Sequence, residues 1–285
     1  MTISELPNSN YVTELLSKNF SREDMLKLIG VMLLTDGTCY FAKDKRVFIN
    51  LIGKDKILHD IFVNLMYHSF KTMPSTYMVD AGHKNGVKVT QYNRKIDFFN
   101  DLFELSPSFK KKVAHGQTIE SYLKEKQPTL NFLQESKKKV QLEGFRLALC
   151  TDGCITSWID KNKILRAGIR IACEHPLLVN QWLNVSQNIK LKMYITKNKD
   201  SWSGKSGIIT KSWKEIEKIW NMGSFIPNVK VVGTSPRFKG YNKRDLHNSL
   251  LKANGAIKSI DIKDGTDIWN VVYRYLRACK WAKDS

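Results

Sequence analysis

A largely apolar segment that ends in Thr-Asp-Gly occurs twice in the sequence, at residues 28–37 and 145–153. The aspartates of the two copies are Asp36 and Asp152. Facing carboxylates supply the hard oxygen ligands that Mg²⁺ prefers, and Mn²⁺ accepts the same donors. A divalent cation held between them could polarise a phosphodiester and lower the pKa of an attacking water. The repeat therefore predicts a metal-dependent hydrolytic site at Asp36 and Asp152.

Each aspartate is expected at the C-terminal end of a helix. Residues 24–36 are apolar on every face in the last two turns, which predicts a helix that is buried on all sides, packed against its second copy. Gly37 and Gly153 then occupy the position where a left-handed residue ends a helix. Their main-chain carbonyls are candidate additional metal ligands. The helix dipole disfavours a carboxylate at this end by about 0.3–1 kcal/mol, so two such acids require a cation between them.

An ordinary structural interpretation is also open. Asp-Gly is a common turn dipeptide after any helix. For a single copy this interpretation would prevail. Two copies with matched downstream elements favour the catalytic interpretation.

The elements downstream of the two copies match. Each copy is followed by patterns for two strands, a helix, two strands and a closing helix, which predicts an α+β fold of two αββαββα repeats. In the first copy the strands are predicted at 38–41, 46–52, 76–79 and 87–90, and the helices at 57–65 and 96–105. In the second copy the strands are predicted at 154–158, 165–172, 191–196 and 207–210, and the helices at 178–185 and 213–220.

The repeats divide the chain into four parts. Residues 1–106 form the first repeat with an N-terminal extension, 107–141 a basic linker with a helix near 120–126, 142–232 the second repeat, and 233–285 a basic loop and C-terminal helices. Ser212 and Glu215 form a capping-box pattern before the second closing helix. Helices are predicted at 246–253, with Gly255 as a C-terminal cap, and at 267–281.

The charge balance indicates a polyanionic partner. The 285 residues include 46 Lys and Arg against 27 Asp and Glu, a net charge of +19. Such a balance is typical of nucleic-acid-binding proteins, and an aromatic content of 11% excludes a disordered basic tail. The longest apolar run, residues 28–34, is too short for a membrane span, and residues 1–10 contain no apolar signal core. We therefore expect an intracellular protein, in the cytoplasm, nucleoid or an organelle matrix. The five scattered cysteines indicate reduced thiols.

Basic and amide side chains alternate with apolar ones along the predicted strands. Such side chains can contact phosphates and base edges in the major groove of DNA. A polar, solvent-facing side of a half-buried sheet would have the same pattern. The candidate DNA contacts are Arg46, Asn50, Lys88, Arg166, Arg170, Lys190 and Lys192.

On these residues the sequence resembles the LAGLIDADG homing endonuclease family in its single-chain, two-repeat form. Asp36 and Asp152 match the eighth position of the family motif, and Gly37 and Gly153 match the ninth. The sequence departs from the motif at its sixth position, where it has Leu34 and Cys150. The resemblance implies two four-stranded antiparallel sheets that form a saddle over double-stranded DNA, with the motif helices packed at the interface. It also implies metal-dependent cleavage of both strands beside the helix pair.

The resemblance suggests a further pair of residues near the scissile phosphate. The family often has a basic or amide residue just before the closing helix, where it can order water or stabilise developing charge. Aligning the closing helices places Gln91 opposite Lys211. A solvent-facing role for both residues is equally open.

These observations predict a monomeric endonuclease that uses Mg²⁺ or Mn²⁺ and cuts a long asymmetric site in double-stranded DNA. The alternative is an intron maturase that binds its own intron RNA, or a DNA- or RNA-binding protein of the same fold that does not cleave. Retention of both acids favours the nuclease, because a protein that only binds gains nothing from facing carboxylates in a positive groove.

Overall fold

The structure is a computed structural model that describes residues 6–7, 9–41, 47–79, 86–93, 96–109, 127–231, 238–257 and 265–284. The helices are α1 (Asn10–Ser17), α2 (Arg22–Thr35), α3 (Lys56–Phe70), α4 (Asn100–Phe103), α5 (Asn131–Gln134), α6 (Lys138–Cys150), α7 (Pro176–Asn188), α8 (Trp213–Asn221), α9 (Lys243–Ile257) and α10 (Gly265–Asp284). The strands are β1 (Gly37–Phe41), β2 (Val47–Gly53), β3 (Ser75–Val79), β4 (Gly86–Asn93), β5 (Gly153–Ile159), β6 (Leu165–Ala172), β7 (Tyr194–Lys197) and β8 (Lys205–Thr210). Short 3₁₀ turns cover Ile96–Phe99 and Pro107–Phe109. The predicted α+β class is confirmed.

The strands form two four-stranded antiparallel sheets with the same strand order, β1-β2-β4-β3 and β5-β6-β8-β7. In each sheet the glycine after the motif aspartate opens the first strand. Gly37 pairs with Leu51 in the first sheet, and Gly153 pairs with Ile171 in the second. The first strand of each sheet therefore begins directly at the end of a motif helix.

The two motif helices, α2 and α6, pack against each other in the centre of the molecule. Their side chains from residues 28–33 and 144–150 are buried, as the all-apolar pattern predicted. Two glycines on these helices make room for a third element. A Cβ at Gly30 would lie 3.1 Å from the Phe132 ring, and one at Gly144 would lie 2.7 Å from the Leu133 side chain. The glycines thus admit helix α5 and the side chains beside it.

Several predicted boundaries are wrong. The first closing helix is a 3₁₀ turn followed by the single turn of α4. The side chain of Ser212 makes no capping hydrogen bond, and Glu215 instead accepts from the Lys192 N–H and the Lys218 ammonium, both at 2.8 Å. Gly255 lies inside α9 rather than after its end. The helix predicted at 120–126 lies outside the described residues.

The C-terminal helices α9 and α10 pack against each other, and α9 also contacts β5 and α8. His247 of α9 is fully buried. Its Nε2 lies 2.9 Å from the Ile216 carbonyl, and its Nδ1 contacts the Ser224 hydroxyl at 2.5 Å. The Ile216 carbonyl accepts from Nε2, and because burial lowers the pKa of His247 to about 4, the ring is neutral at pH 7 and Nδ1 accepts from the Ser224 hydroxyl. His247 thus joins α9 to α8 and to the segment that follows α8. No helix in the described part of the chain is long and apolar enough to cross a membrane.

The burial of His247 predicts loss of stability in acid. Burial lowers the pKa of His247 to about 4, so in the window between that value and the unfolded value near 6.5 the unfolded chain binds more protons than the folded protein. The stabilisation is complete above pH 6.5 and is lost as the pH falls towards 4. We expect His247 to contribute a loss of about 2 to 3 kcal/mol between pH 7 and 4.5, measured by urea unfolding as the difference between the wild type and His247→Asn. The same pH dependence in both proteins would contradict the assignment.

Candidate aspartate site and nucleic-acid interface

The structure places the two motif aspartates at equivalent positions, where each motif helix ends. The Asp36 N–H donates to the Met32 carbonyl at 3.1 Å and closes the last turn of α2. Asp152 follows Thr151, the residue that caps α6. The Asp152 carbonyl accepts from the Ala172 N–H at 3.1 Å. The helix end and the hydrogen bond to Ala172 therefore fix the backbone of Asp152. In the first repeat, the Ile52 N–H of β2 donates to the Asp36 carbonyl at 3.4 Å in the equivalent way.

The glycines after the aspartates are required for a steric reason. Neither Gly37 nor Gly153 has a positive φ, so the predicted left-handed cap is wrong. A Cβ at Gly37 would lie 2.7 Å from the Leu33 Cα, and one at Gly153 would lie 2.2 Å from the Leu149 carbonyl oxygen. The strand leaves so close to the preceding helical turn that no side chain fits there.

The two carboxylates are close enough to interact electrostatically. Burial and the negative charge of Asp36 raise the pKa of Asp152 to about 7, and the positive charge of Lys243 partly opposes this rise. A second carboxylate disfavours the ionised form of the first, as expected for like charges that share a site. The spacing of the sequence motifs predicted this convergence.

The raised pKa of Asp152 makes a prediction about the metal-free protein. The folded state binds more protons than the unfolded chain between about pH 4 and 7, so stability falls as the pH rises through this window. Asp152→Asn removes the carboxylate, and we expect it to stabilise the metal-free protein by about 2 kcal/mol or more at pH 8. The difference should largely disappear at pH 4. Urea unfolding in EDTA at both values measures it, and equal stability of the two proteins at pH 8 would contradict the electrostatic assignment.

Lys243 is a residue of this site that the sequence analysis did not identify. It is the first residue of α9, and its side chain is buried. Its ammonium donates to the carbonyls of Cys150 and Gly153 at 2.7 Å and to that of Leu149 at 3.3 Å. In sequence it belongs to a basic loop before a predicted helix, a context typical of exposed lysines.

The donor set suits a hard divalent cation. It consists of two carboxylates and main-chain carbonyls, the oxygen ligands that Mg²⁺ prefers. The Gly153 carbonyl already accepts from Lys243, although a carbonyl has a second lone pair. The described residues contain no group of three or more His, Cys, Asp and Glu side chains that could hold a metal. Asp36 and Asp152 with the carbonyls of Gly37 and Gly153 therefore remain the candidate ligands.

A cleft of about 340 Å³ opens beside Asp152. Its walls come from both halves of the molecule. Gly37 and Thr38 of β1 lie on one side, and Asp152 and Cys173 lie on the other. The cleft therefore gives solvent and ligands access to Asp152.

Lys211 lies away from the aspartates. Its ammonium sits 5.5 Å from the centroid of the Trp158 ring, a cation–π contact. Trp158 is five residues along β5 from Gly153, roughly 17 Å at about 3.3 Å per residue. The structure therefore does not bring Lys211 to the carboxylates.

The pairing of Gln91 with Lys211 is wrong. Gln91 pairs with Ile49 in the first sheet, and the equivalent partner in the second sheet, Ile169, pairs with Thr210. The register therefore makes Gln91 the equivalent of Thr210. The equivalent of Lys211 is one residue further along.

The second sheet has the predicted alternation along β6. Leu165, Ala167, Ile169 and Ile171 are buried, whereas Arg166 and Arg170 lie on the opposite face. Arg166 is exposed and pairs with Asp160 at 2.9 Å. The half-buried Arg170 donates to the Ser206 carbonyl, and its Nε has no partner in the described part of the chain. Both guanidinium groups thus lie on the face opposite the buried side chains of β6.

The lysines predicted to alternate along β7 lie before that strand. Strand β7 begins at Tyr194 rather than at residue 191. Lys190 has a φ of 66° in the turn that follows α7, and the N–H of Lys192 is bound to Glu215. Both side chains are exposed and available to a ligand, but the turn geometry excludes them from the sheet ladder.

Three of the candidate DNA contacts belong to the first repeat. Asn50 lies opposite Thr38, to whose hydroxyl its amide donates at 3.4 Å, and it is only 1% exposed. Lys88 lies on β4 and pairs with Ile52. Arg46 lies outside the described residues. None of these residues is brought to the aspartates by a described contact.

Solved structures with this fold are found by comparison. The chain is similar to the I-LtrWI LAGLIDADG homing endonuclease bound to target DNA, with a TM-score of 0.54 and 13% identity over 88% of this chain and 97% of that chain. It is also similar to the LAGLIDADG meganuclease I-AabMI bound to uncleaved DNA, with a TM-score of 0.49, 11% identity, and coverage of 87% of this chain and 98% of that chain. No protein-family model matches the sequence, and a search of curated proteins gives no match.

The similarity to I-LtrWI shows that the chain has the fold of LAGLIDADG homing endonucleases. The LAGLIDADG-like α+β fold that the repeated motif implied is confirmed, and the pseudo-two-fold relation of the two repeats stays a prediction. At 13% identity the similarity concerns the fold alone. Activity depends on the residues of the site rather than on the fold.

Proposed function

We propose that the chain is a site-specific, double-stranded DNA endonuclease that hydrolyses phosphodiester bonds with a divalent metal ion. The observation that supports it most is the position of Asp36 and Asp152 at the ends of two packed helices, where the charge of one raises the pKa of the other. Buried like charges are retained at a cost in stability, and perturbed carboxylates beside a cleft are typical of functional sites.

In this proposal the two αββαββα halves are related by a pseudo-two-fold axis that passes between α2 and α6. Asp36 and Asp152 hold the metal, with the main-chain carbonyls of Gly37 and Gly153 as further oxygen ligands. Mg²⁺ or Mn²⁺ at this position supplies a Lewis acid that polarises the scissile phosphate. The helix ends and the strands that begin there hold the carboxylates in place. The monomer binds one long asymmetric site, because its two halves have different sequences.

The DNA lies on the sheet faces in this proposal. Arg166 and Arg170 contact one half-site, Arg46 and Lys88 contact the other, and Lys190 and Lys192 contact phosphates at the rim. The predicted DNA contact of Asn50 is not part of this proposal, because its side chain is buried. In this proposal Lys211 and Gln91 lie near the DNA rather than near the carboxylates. The net charge of +19 supports a polyanionic ligand of this size. The same proposal places the protein inside the cell, where its substrate is.

A second candidate is a protein of the same fold that binds DNA or RNA without cleaving it, such as an intron maturase. The hydrogen bond from Lys243 to the Gly153 carbonyl favours this candidate, because it places a cation of the protein beside the proposed metal ligands. Retention of both aspartates favours the nuclease. An open reading frame inside an intron or intein would support a role in homing.

The salt dependence of binding and a comparison with RNA test whether duplex DNA is the ligand. Contacts to half a dozen to ten phosphates imply that log K falls with log salt with a slope of roughly −5 to −9 on duplex DNA. Arg166→Ala or Arg170→Ala should relax base preference in one half-site only, and Lys192→Ala should weaken all sequences alike. Filter binding across a salt series, on a site selected from a randomised duplex pool, measures this. Equal affinity for structured RNA would contradict the nuclease proposal and favour the maturase, and a slope near zero would contradict the predicted phosphate contacts.

A further inference from the structure

Lys243 lies in α9, outside both of the repeats that carry the aspartates. Its side chain is 4% exposed. The three hydrogen bonds to Leu149, Cys150 and Gly153 use all three donors of its ammonium. Its own backbone N–H is bound to the Val229 carbonyl at 2.8 Å, so the start of α9 is fixed as well. The ammonium is therefore held in one place.

A buried ammonium costs free energy unless a negative charge compensates it. The carbonyls of Leu149 and Cys150 belong to the C-terminal end of α6, which carries only a partial negative charge, and the third belongs to Gly153 of β5. Burial lowers the pKa of Lys243, and the carboxylates of Asp36 and Asp55 are the full negative charges that oppose this lowering. Lys243 in turn lowers the pKa of Asp152. The adjacent Cys150 is neutral, because burial raises its thiol pKa to about 11.

The first repeat has no equivalent cation in the described part of the chain. The carbonyls that correspond to those of Leu149, Cys150 and Gly153 belong to Leu33, Leu34 and Gly37. Among the described residues, no lysine or arginine side chain donates to these three carbonyls. Lys243 thus binds the carbonyls at the end that carries Asp152.

We propose that Lys243 is the internal counter-ion of the Asp36–Asp152 pair, and that helix α9 thereby contributes a positioning residue to the site. Lys243 offsets the repulsion between the carboxylates before metal or DNA is present. It also fixes the last turn of α6, and so the backbone from which Asp152 projects. The consequence of Lys243 for cleavage rests on the proposed function, whereas its effect on the stability of the metal-free protein does not.

A double-mutant cycle on the metal-free protein tests this proposal. The proteins are wild type, Lys243→Gln, Asp152→Asn and the double variant, unfolded with urea at pH 8 in EDTA. Gln keeps hydrogen-bond donors and removes the charge. We expect Lys243→Gln to lower the folding equilibrium constant about tenfold more in the wild-type background than in the Asp152→Asn background. The matched control is Lys252→Gln on the exposed side of α9, which should have the same small effect in both.

The outcomes are distinct. If Lys243→Gln costs the same in both backgrounds, Lys243 only caps carbonyls and the proposal is overturned. Failure to fold in both backgrounds overturns it as well, since the cost would then not depend on Asp152. Folding of the double variant but not of Lys243→Gln supports it. The cycle contains neither metal nor DNA, so a wild-type protein that binds DNA without cleaving it would refute the proposed function and leave this result unchanged.

Discussion

Asp36→Asn and Asp152→Asn should each abolish double-strand cleavage. Asn keeps the size of the side chain but removes the negative charge that holds a divalent cation, so both cleavage steps lose their metal. We expect a loss of about a thousandfold or more in the single-turnover rate, which corresponds to ~4 kcal/mol of transition-state stabilisation. Cleavage of an end-labelled duplex at saturating protein measures it.

DNA binding by these variants separates a catalytic role from a structural one. Removal of a carboxylate that faces phosphates should leave affinity unchanged or increase it. Asp160→Asn is a matched control, because Asp160 pairs with Arg166 on the sheet far from the metal ligands. That variant should cleave at nearly the wild-type rate. Full cleavage by either Asp36→Asn or Asp152→Asn would contradict the two-aspartate assignment.

Arg146→Met should be strongly destabilising. Arg146 donates to both carboxylate oxygens of Glu143, at 2.8 and 3.0 Å, and both side chains are at most 8% exposed. Glu143 also accepts from the Tyr11 hydroxyl at 3.1 Å, which attaches α1 to α6. Loss of the guanidinium leaves the buried carboxylate with only the Tyr11 hydroxyl and the longer contact with Lys18 at 3.7 Å. Removal of the main partner from a buried ion pair costs about 3 kcal/mol or more. Urea unfolding at pH 7 measures the loss.

An exposed pair provides the control for this prediction. Lys56 and Asp60 are also joined at 2.6 Å, but the lysine is 80% exposed. Lys56→Met should change stability by about 0–1 kcal/mol. The double variant Arg146→Met/Glu143→Leu should be more stable than the sum of its single changes, since it leaves no unpaired charge. A loss under 1 kcal/mol for Arg146→Met would show that the pair contributes little.

The convergence of the aspartates was predictable from the sequence. Two helices that are apolar on every face in a chain of this size must bury each other, and this places the residues at their ends together. Glycine is required at positions 37 and 153, but the close approach of the helix requires it and not the left-handed φ that we predicted. A sequence shows that glycine is present, whereas the choice between a left-handed φ and a close approach depends on the direction in which the strand leaves the helix.

The contribution of Lys243 was not predictable from the sequence. A lysine at the start of a helix is usually exposed, and its burial here depends on the packing of α9 against the end of α6. The strand register could not be predicted from the sequence either. A shift of one residue moves a side chain to the other face of a sheet, so an alignment of closing helices paired Gln91 with Lys211 incorrectly. Lys190 and Lys192 were misplaced because the turn after α7 extends the chain without joining the ladder.

The most direct test of the central claim is strand cleavage by the wild-type protein on a duplex that it has itself selected from a randomised DNA pool. Each strand is end-labelled, and the complex is incubated with Mg²⁺, with Mn²⁺ or in EDTA. We expect specific cuts on both strands with either metal ion and an intact duplex in EDTA. A duplex that is bound tightly but remains uncut with both metal ions would contradict the account.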